Sequence, residues 1–226
     1  AVFSETVFEA ALGRGMGIAI VNDTDNQVVT WGQANTENTL GAGPGNLNVD
    51  RWTPTPIYTG NITGVDLTDG TKVRAVCAGR SHVMILHHQT IIAWGGNLHG
   101  QAGPYSGLYP TNLPDSFFLG FSNGINAIAC VVDTSFALTG SGILAWGLNG
   151  PSHLYGNNAV TIYNSVNLQR ATLTQVPLDV IVTSIISSTS SHAVVAEAHL
   201  SGSAQGITAS LEKLLHFGVD AYADCP

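Results

Sequence analysis

The sequence predicts an all-β chain built from repeated four-stranded sheets. Three observations predict it: short β-branched apolar runs bounded by Gly, Asn and Ser, an aromatic-Gly dipeptide that ends such a run four times, and a composition low in charge and high in glycine. Of 226 residues, 44% are hydrophobic, 10% are charged and 26 are glycine. An average soluble domain carries about 25% charged residues. Such a chain can bury a core and is not disordered, and it has too few charges for a coiled coil. Lysine occurs at Lys72 and Lys213, and the formal net charge is -8. Duplex DNA needs a basic stripe that displaces counterions, so no nucleic-acid partner is expected.

The elements follow in order. One recurring element reads Val28-Val29-Thr30-Trp31-Gly32, then Ile91-Ile92-Ala93-Trp94-Gly95, then Ile143-Leu144-Ala145-Trp146-Gly147, with a weaker copy at Leu214-Leu215-His216-Phe217-Gly218. Its aromatic residues stand 63, 52 and 71 residues apart. Upstream of each lies a pair of apolar runs joined by a tight turn. They are Ala10–Ile20, Val73–Leu86, Ile125–Leu138 and Val182–Ala196. Runs of four to seven residues, rich in β-branched side chains and closed by turn formers, are strands rather than helices. Pro-flanked segments such as Thr53–Tyr58 and Thr174–Leu178 read as edge strands, because proline has no N–H to give to the ladder and cannot sit in a central strand.

That makes about four strands per unit. The repeats run over about 1–52, 53–114, 115–172 and 173–226. Four-stranded units at this period describe β-propeller blades. No apolar run approaches the ~20 residues of a helical membrane span. The start, Ala1-Val2-Phe3-Ser4-Glu5, has no initiator Met and no basic, apolar leader; it is expected to be a processed end or the start of a piece.

At this point the residues resemble the repeat of RCC1, the regulator of chromosome condensation. The second unit carries the pattern most fully, in Gly79, His82, Leu86, Trp94, Gly95, Asn97, Gly100, Gln101 and Gly103. The third keeps Leu138, Trp146, Gly147 and Asn149, with Val131 and Thr134 at the Gly and His positions. The first keeps Gly13, Trp31 and Gly32, with Met16 at the His position. The fourth keeps His192 and Gly218, with Phe217 for Trp. The resemblance spans nearly the whole chain and implies a ring of seven blades. Four at most are present, so a longer chain or a partner chain is expected to complete the ring. Open strand edges and apolar blade faces would otherwise invite aggregation. From the His position to the aromatic, the first three units count 15, 12 and 12 residues and the fourth counts 25. An insertion at roughly 199–211 is therefore expected to protrude between two strands.

The repeat Trp-Gly pairs and histidines are read as packing and turn residues. The glycine-rich Gly13–Gly17 precedes a strand, not a helix, so it is no dinucleotide fingerprint. His87, His88 and His99 are not expected to form a metal site, because neighbouring strand residues point to opposite faces. No cofactor is expected. In the alignment Cys77 matches Ala129 and Cys130 matches Ala78, a one-residue offset that puts the two on opposite faces of their sheets. Both are expected to be free and buried; Cys225 is not assigned. Asn22 and Asn61 head glycosylation sequons, which matter only in a secreted chain.

Binding is expected at the loops that follow Trp-Gly. These are Asn35–Asn38, Asn97–Gln101 and Asn149–Tyr155, and the candidate residues are Asn97, His99, Gln101, Asn149, His153 and Tyr155. The same residue types also make turns. The expected function is non-enzymatic, a scaffold that binds another protein. The resemblance implies one alternative, guanine-nucleotide exchange on a small GTPase, for which the 199–211 insertion is the sole wedge-like candidate. A secreted inhibitor or surface adhesin is the other. The compartment is unknown, with low lysine and high Asn, Thr and Gly leaning towards secretion.

Overall fold

The computed structural model describes residues 6–22, 28–63, 67, 73–104, 108–113, 124–140, 142–148, 171–172, 180–187, 193–200 and 211–218. These form four antiparallel sheets. The first joins β1 (Thr6–Gly13), β2 (Met16–Asn22), β3 (Val28–Gly32) and β4 (Arg51–Pro56) in chain order. The second joins β5 (Val73–Ala78), β6 (His82–His87), β7 (Thr90–Gly95) and β8 (Thr111–Asn112). The third joins β9 (Ile125–Val131), β10 (Thr134–Thr139), β11 (Gly142–Gly147) and β12 (Ala171–Thr172). The fourth has three described strands, β13 (Val180–Ser187), β14 (Ala193–Leu200) and β15 (Leu211–Gly218). Each Trp-Gly pair ends a third strand. The Pro-flanked strand Arg51–Pro56 pairs with β3, so the first blade extends to Pro56 and its fourth strand closes its own sheet.

Successive sheets meet through their first strands, β1 with β5, β5 with β9 and β9 with β13. They stack face to face, and the core lies between them. Ile18, Ile20 and Val28 of the first blade meet Val76, Ile85 and Trp94 of the second. The opposite face of the second blade presents Met84, Leu86 and Ala93 to Ile128, Ala137 and Trp146 of the third. Strand alternation makes this possible, since every second residue serves one interface and the residues between serve the next. Both faces of a middle blade are therefore apolar, which is why His82–His87 is buried along its whole length.

This stacking corrects the expectation that Cys77 and Cys130 are free. They are buried, but they are joined in a disulfide with their Cα atoms 5.5 Å apart. The offset of one position that seemed to separate them is what brings them together. In a stack, the right face of one sheet packs on the left face of the next, so residues on opposite faces of equivalent strands meet. Cys77 lies in the same cluster as Cys130, whereas its neighbour Ala78 packs towards the first blade.

The same register leaves one face open. Val73, Val76 and Ala78 of β5 pack on the first blade, and Ile125, Ile128 and Cys130 of β9 pack on the second. The equivalents on β1 include Val7 and Leu12, which are 37% and 61% exposed. In the fourth sheet Leu200 pairs with Leu211. The expected insertion thus loses His199, Leu200 and Leu211 to the strands, and residues 201–210 lie outside the described residues.

Candidate functional site

The loop end of the blades is built by one repeated device. Two-residue turns, Arg14-Gly15, Arg80-Ser81 and Val132-Asp133, close the first hairpins. The register puts Met16, His82 and Thr134 at one position, opposite Gly32, Gly95 and Gly147. Those three glycines have φ of +120°, +101° and +99°, which L side chains rarely adopt. A methyl on any of them would run into the carbonyl oxygen of Gly15, Ser81 or Asp133. Those carbonyls each accept the N–H of the residue after the glycine, from Gln33 at 2.8 Å, Gly96 at 2.6 Å and Leu148 at 2.9 Å. The chain therefore turns sharply after each tryptophan and launches its loop from a fixed point.

The tryptophans fasten blade to blade. The Trp94 indole N–H donates to the Thr39 carbonyl at 3.0 Å, in the loop of the preceding blade. Trp146 does the same to the Gln101 carbonyl at 3.0 Å. Both rings are buried, so an indole without such a partner would be costly. Trp31 is half-buried and lies across Gly17. The first-hairpin turns also interlock, with the Arg80 N–H donating to the Val132 carbonyl at 2.7 Å.

His82 anchors this network. It is fully buried, and its Nε2 lies 2.9 Å from Ser135 Oγ. The Ser135 hydroxyl has one proton and gives it to the Gln101 carbonyl at 2.7 Å, so Nε2 carries the imidazole hydrogen. His82 Nδ1 is then an acceptor without a partner. Burial pushes this imidazole down to about 3, and it is neutral at any physiological pH.

The structure places the candidate binding residues unequally. Asn97 and Gln101 face inward and build their loop. Asn97 donates to the Gly103 carbonyl at 2.9 Å and accepts from the Ala102 N–H at 2.8 Å. Gln101 is buried, and its side chain accepts the His99 N–H at 2.9 Å. The loop of the first blade repeats the device with Asn38, buried at φ +54° where the second blade has Gly100 at +79°. Asn38 binds both N–H and C=O of Ala42. Facing outward is Leu98, 77% exposed, a residue that polar-loop reasoning passes over. His99 is half-buried. Asn149, His153, Tyr155 and His192 lie outside the described residues. Phe217 and Gly218 end β15, paired with Val194 and Ala193. His88 and Gln89 form the turn between β6 and β7, and the His87 and His88 rings stand edge to face with centroids 5.1 Å apart.

No family model matches the sequence, and no curated protein matches it. Solved structures do. Human WBSCR16 superimposes with a TM-score of 0.65 at 20% identity, over 96% of this chain and 55% of that one. Prp20p from Saccharomyces cerevisiae, described with binding properties to Gsp1p and histones, gives 0.56 at 18% identity over 88% of this chain and 46% of its own. The CRINKLY WD40 ectodomain of the Arabidopsis thaliana receptor kinase ACR4 gives 0.51 at 14% identity over 95% and 56%. These likenesses establish the fold, that of a partial RCC1-like β-propeller. The chain spans about half the length of each of these structures.

Proposed function

On an RCC1-like propeller fold, we propose that this chain is a non-enzymatic scaffold whose loop end binds another protein. One observation carries the reading. The loop after Trp94-Gly95 is fastened by its own hydrogen bonds and by Trp146 of the next blade, and it presents Leu98 at 77% exposure. A preorganised loop with an apolar tip suits protein contacts, because little ordering entropy is lost on binding. A further blade, from a longer chain or a second one, completes the open face at Val7 and Leu12.

The test is site-specific photo-crosslinking in the native cell. A photoreactive residue at position 98 should capture one protein species, and the same residue at position 53, a polar and exposed place on strand β4, should capture none. No crosslink from 98, or equal capture from 53, overturns the reading. Accelerated nucleotide release from a purified small GTPase would replace it with exchange activity.

A second reading, a secreted or cell-surface propeller, is favoured by the Cys77–Cys130 disulfide. Such bonds persist in oxidising compartments and are rare in the cytosol. Rapid alkylation of cells before lysis tests it, since alkylated Cys77 and Cys130 would place the chain in a reducing compartment.

A further inference from the structure

Arg14 and Arg80 hold the same place in consecutive blades. Gly13 pairs with Met16 as Val131 pairs with Thr134, and the Gly79 N–H binds the His82 carbonyl at 2.8 Å. Each arginine is therefore the first residue of the two-residue turn that closes the first hairpin of its blade. Arg80 reaches forward and pairs with Asp133, the second residue of the next blade's turn. The same forward step from Arg14 leads to Ser81, which has no carboxylate. Arg14 is exposed and makes no hydrogen bond or ion pair among the described residues.

A polar cleft of about 480 Å³ opens at this spot. Arg14, Gln33, Asn35, Glu37, Arg80 and Ser81 line it. Next to Arg14 and Arg80 the two blades come close: a Cβ on Gly13 would stand 2.8 Å from the Gly79 carbonyl oxygen. Seven lysines and arginines serve the whole chain, and two of them face this one cleft. We propose that the cleft binds an acidic side chain of a partner protein's peptide segment. The ligand carboxylate sits against the Arg14 guanidinium, as the Asp133 carboxylate sits against Arg80. A guanidinium fork fits a carboxylate with two parallel hydrogen bonds. Glu37 and the side-chain amides of Gln33 and Asn35 take up the backbone N–H and C=O groups of the segment. One guanidinium without a carboxylate matches a single charge, whereas Glu37 in the lining and the net charge of -8 weigh more heavily against the several charges of a polyphosphate. This inference rests on the scaffold reading and names one subsite of it.

The test uses the full isotope-labelled chain, with amide and arginine Nε–H signals followed by NMR at low ionic strength. The probe is the capped peptide acetyl-Gly-Asp-Gly-amide, with its Asn counterpart and inorganic phosphate as controls. The Asp peptide should give saturable shifts at Arg14, Gln33 and Ser81. The Asn peptide should bind about tenfold more weakly, the worth of one charge-assisted contact. Arg14→Gln, on an exposed turn where folding is not at stake, should weaken the Asp peptide by a similar factor, and Arg14→Lys by less. Absence of saturable shifts overturns the inference, as do equal shifts from the Asn peptide, an undiminished response in Arg14→Gln, or equal binding of phosphate. If the peptide fails while crosslinks from position 98 persist, the cleft assignment falls and the scaffold reading stands. Loss of the crosslinks with the peptide response intact is the reverse case.

Discussion

Acid should unfold this protein through His82. The imidazole is fully buried and donates from Nε2 to Ser135, with burial holding it at about 3 against an ordinary 6.5. The unfolded chain takes up a proton below pH 6.5 that the folded chain refuses. Stability from this group is therefore complete above pH 6.5 and declines as pH falls from 6.5 towards 3. Each pH unit in that window is worth about 1.4 kcal/mol, so the loss at pH 5 is about 2 kcal/mol. Urea unfolding at pH 7.5, 6.0 and 5.0 measures it. His82→Gln keeps a donor near Ser135 and cannot titrate, so the wild type minus variant difference isolates this one group from the other histidines. His82→Met, which copies the residue of the first blade at Met16, serves as a second control. Equal pH slopes in wild type and both variants, or an NMR titration of His82 centred near 6.5, would rule out this role for His82.

Three further predictions concern the repeated joints. Gly95→Ala should cost about 1–3 kcal/mol in thermal unfolding from backbone strain and a clash with the Ser81 carbonyl, whereas Gly45→Ala, at φ +88° with no atom within 4 Å, should cost less. Trp94→Phe removes the donor to the Thr39 carbonyl, and its urea midpoint should fall by the equivalent of about 1–3 kcal/mol. Arg80→Ala leaves the buried Asp133 carboxylate without its partner, so it should destabilise wild type more than it destabilises an Asp133→Asn background, a difference that a double-mutant cycle reads directly.

The strands and blade order were legible because they rest on local pattern. Val28–Gly32, Thr90–Gly95 and Gly142–Gly147 carry β-branched runs that stop at a glycine, and stopping there is a backbone necessity at positive φ. The His position was legible for the same reason, since it faces that glycine across the hairpin. The disulfide was not legible from one sheet considered alone. Opposite faces are far apart within a sheet, yet they become neighbours once sheets stack, and stacking is a property of three or more blades together. The loop residues misled in another way. Asn97 and Gln101 look like ligand groups because their side chains offer both donors and acceptors, and those same atoms are what a short loop needs to satisfy its own backbone. Arg14 gave no signal in the sequence. Its meaning depends on Arg80 having Asp133 one blade further on, a comparison that needs the register of three turns at once.

Peptide mapping without reduction probes the face-to-face stacking of successive blades. The chain is expressed in an oxidising compartment, digested and analysed by mass spectrometry before and after reduction. Stacked blades should yield a linked pair of peptides that contain Cys77 and Cys130, which separate on reduction. A link from either cysteine to Cys225, or Cys77 and Cys130 both recovered as thiols, would contradict it.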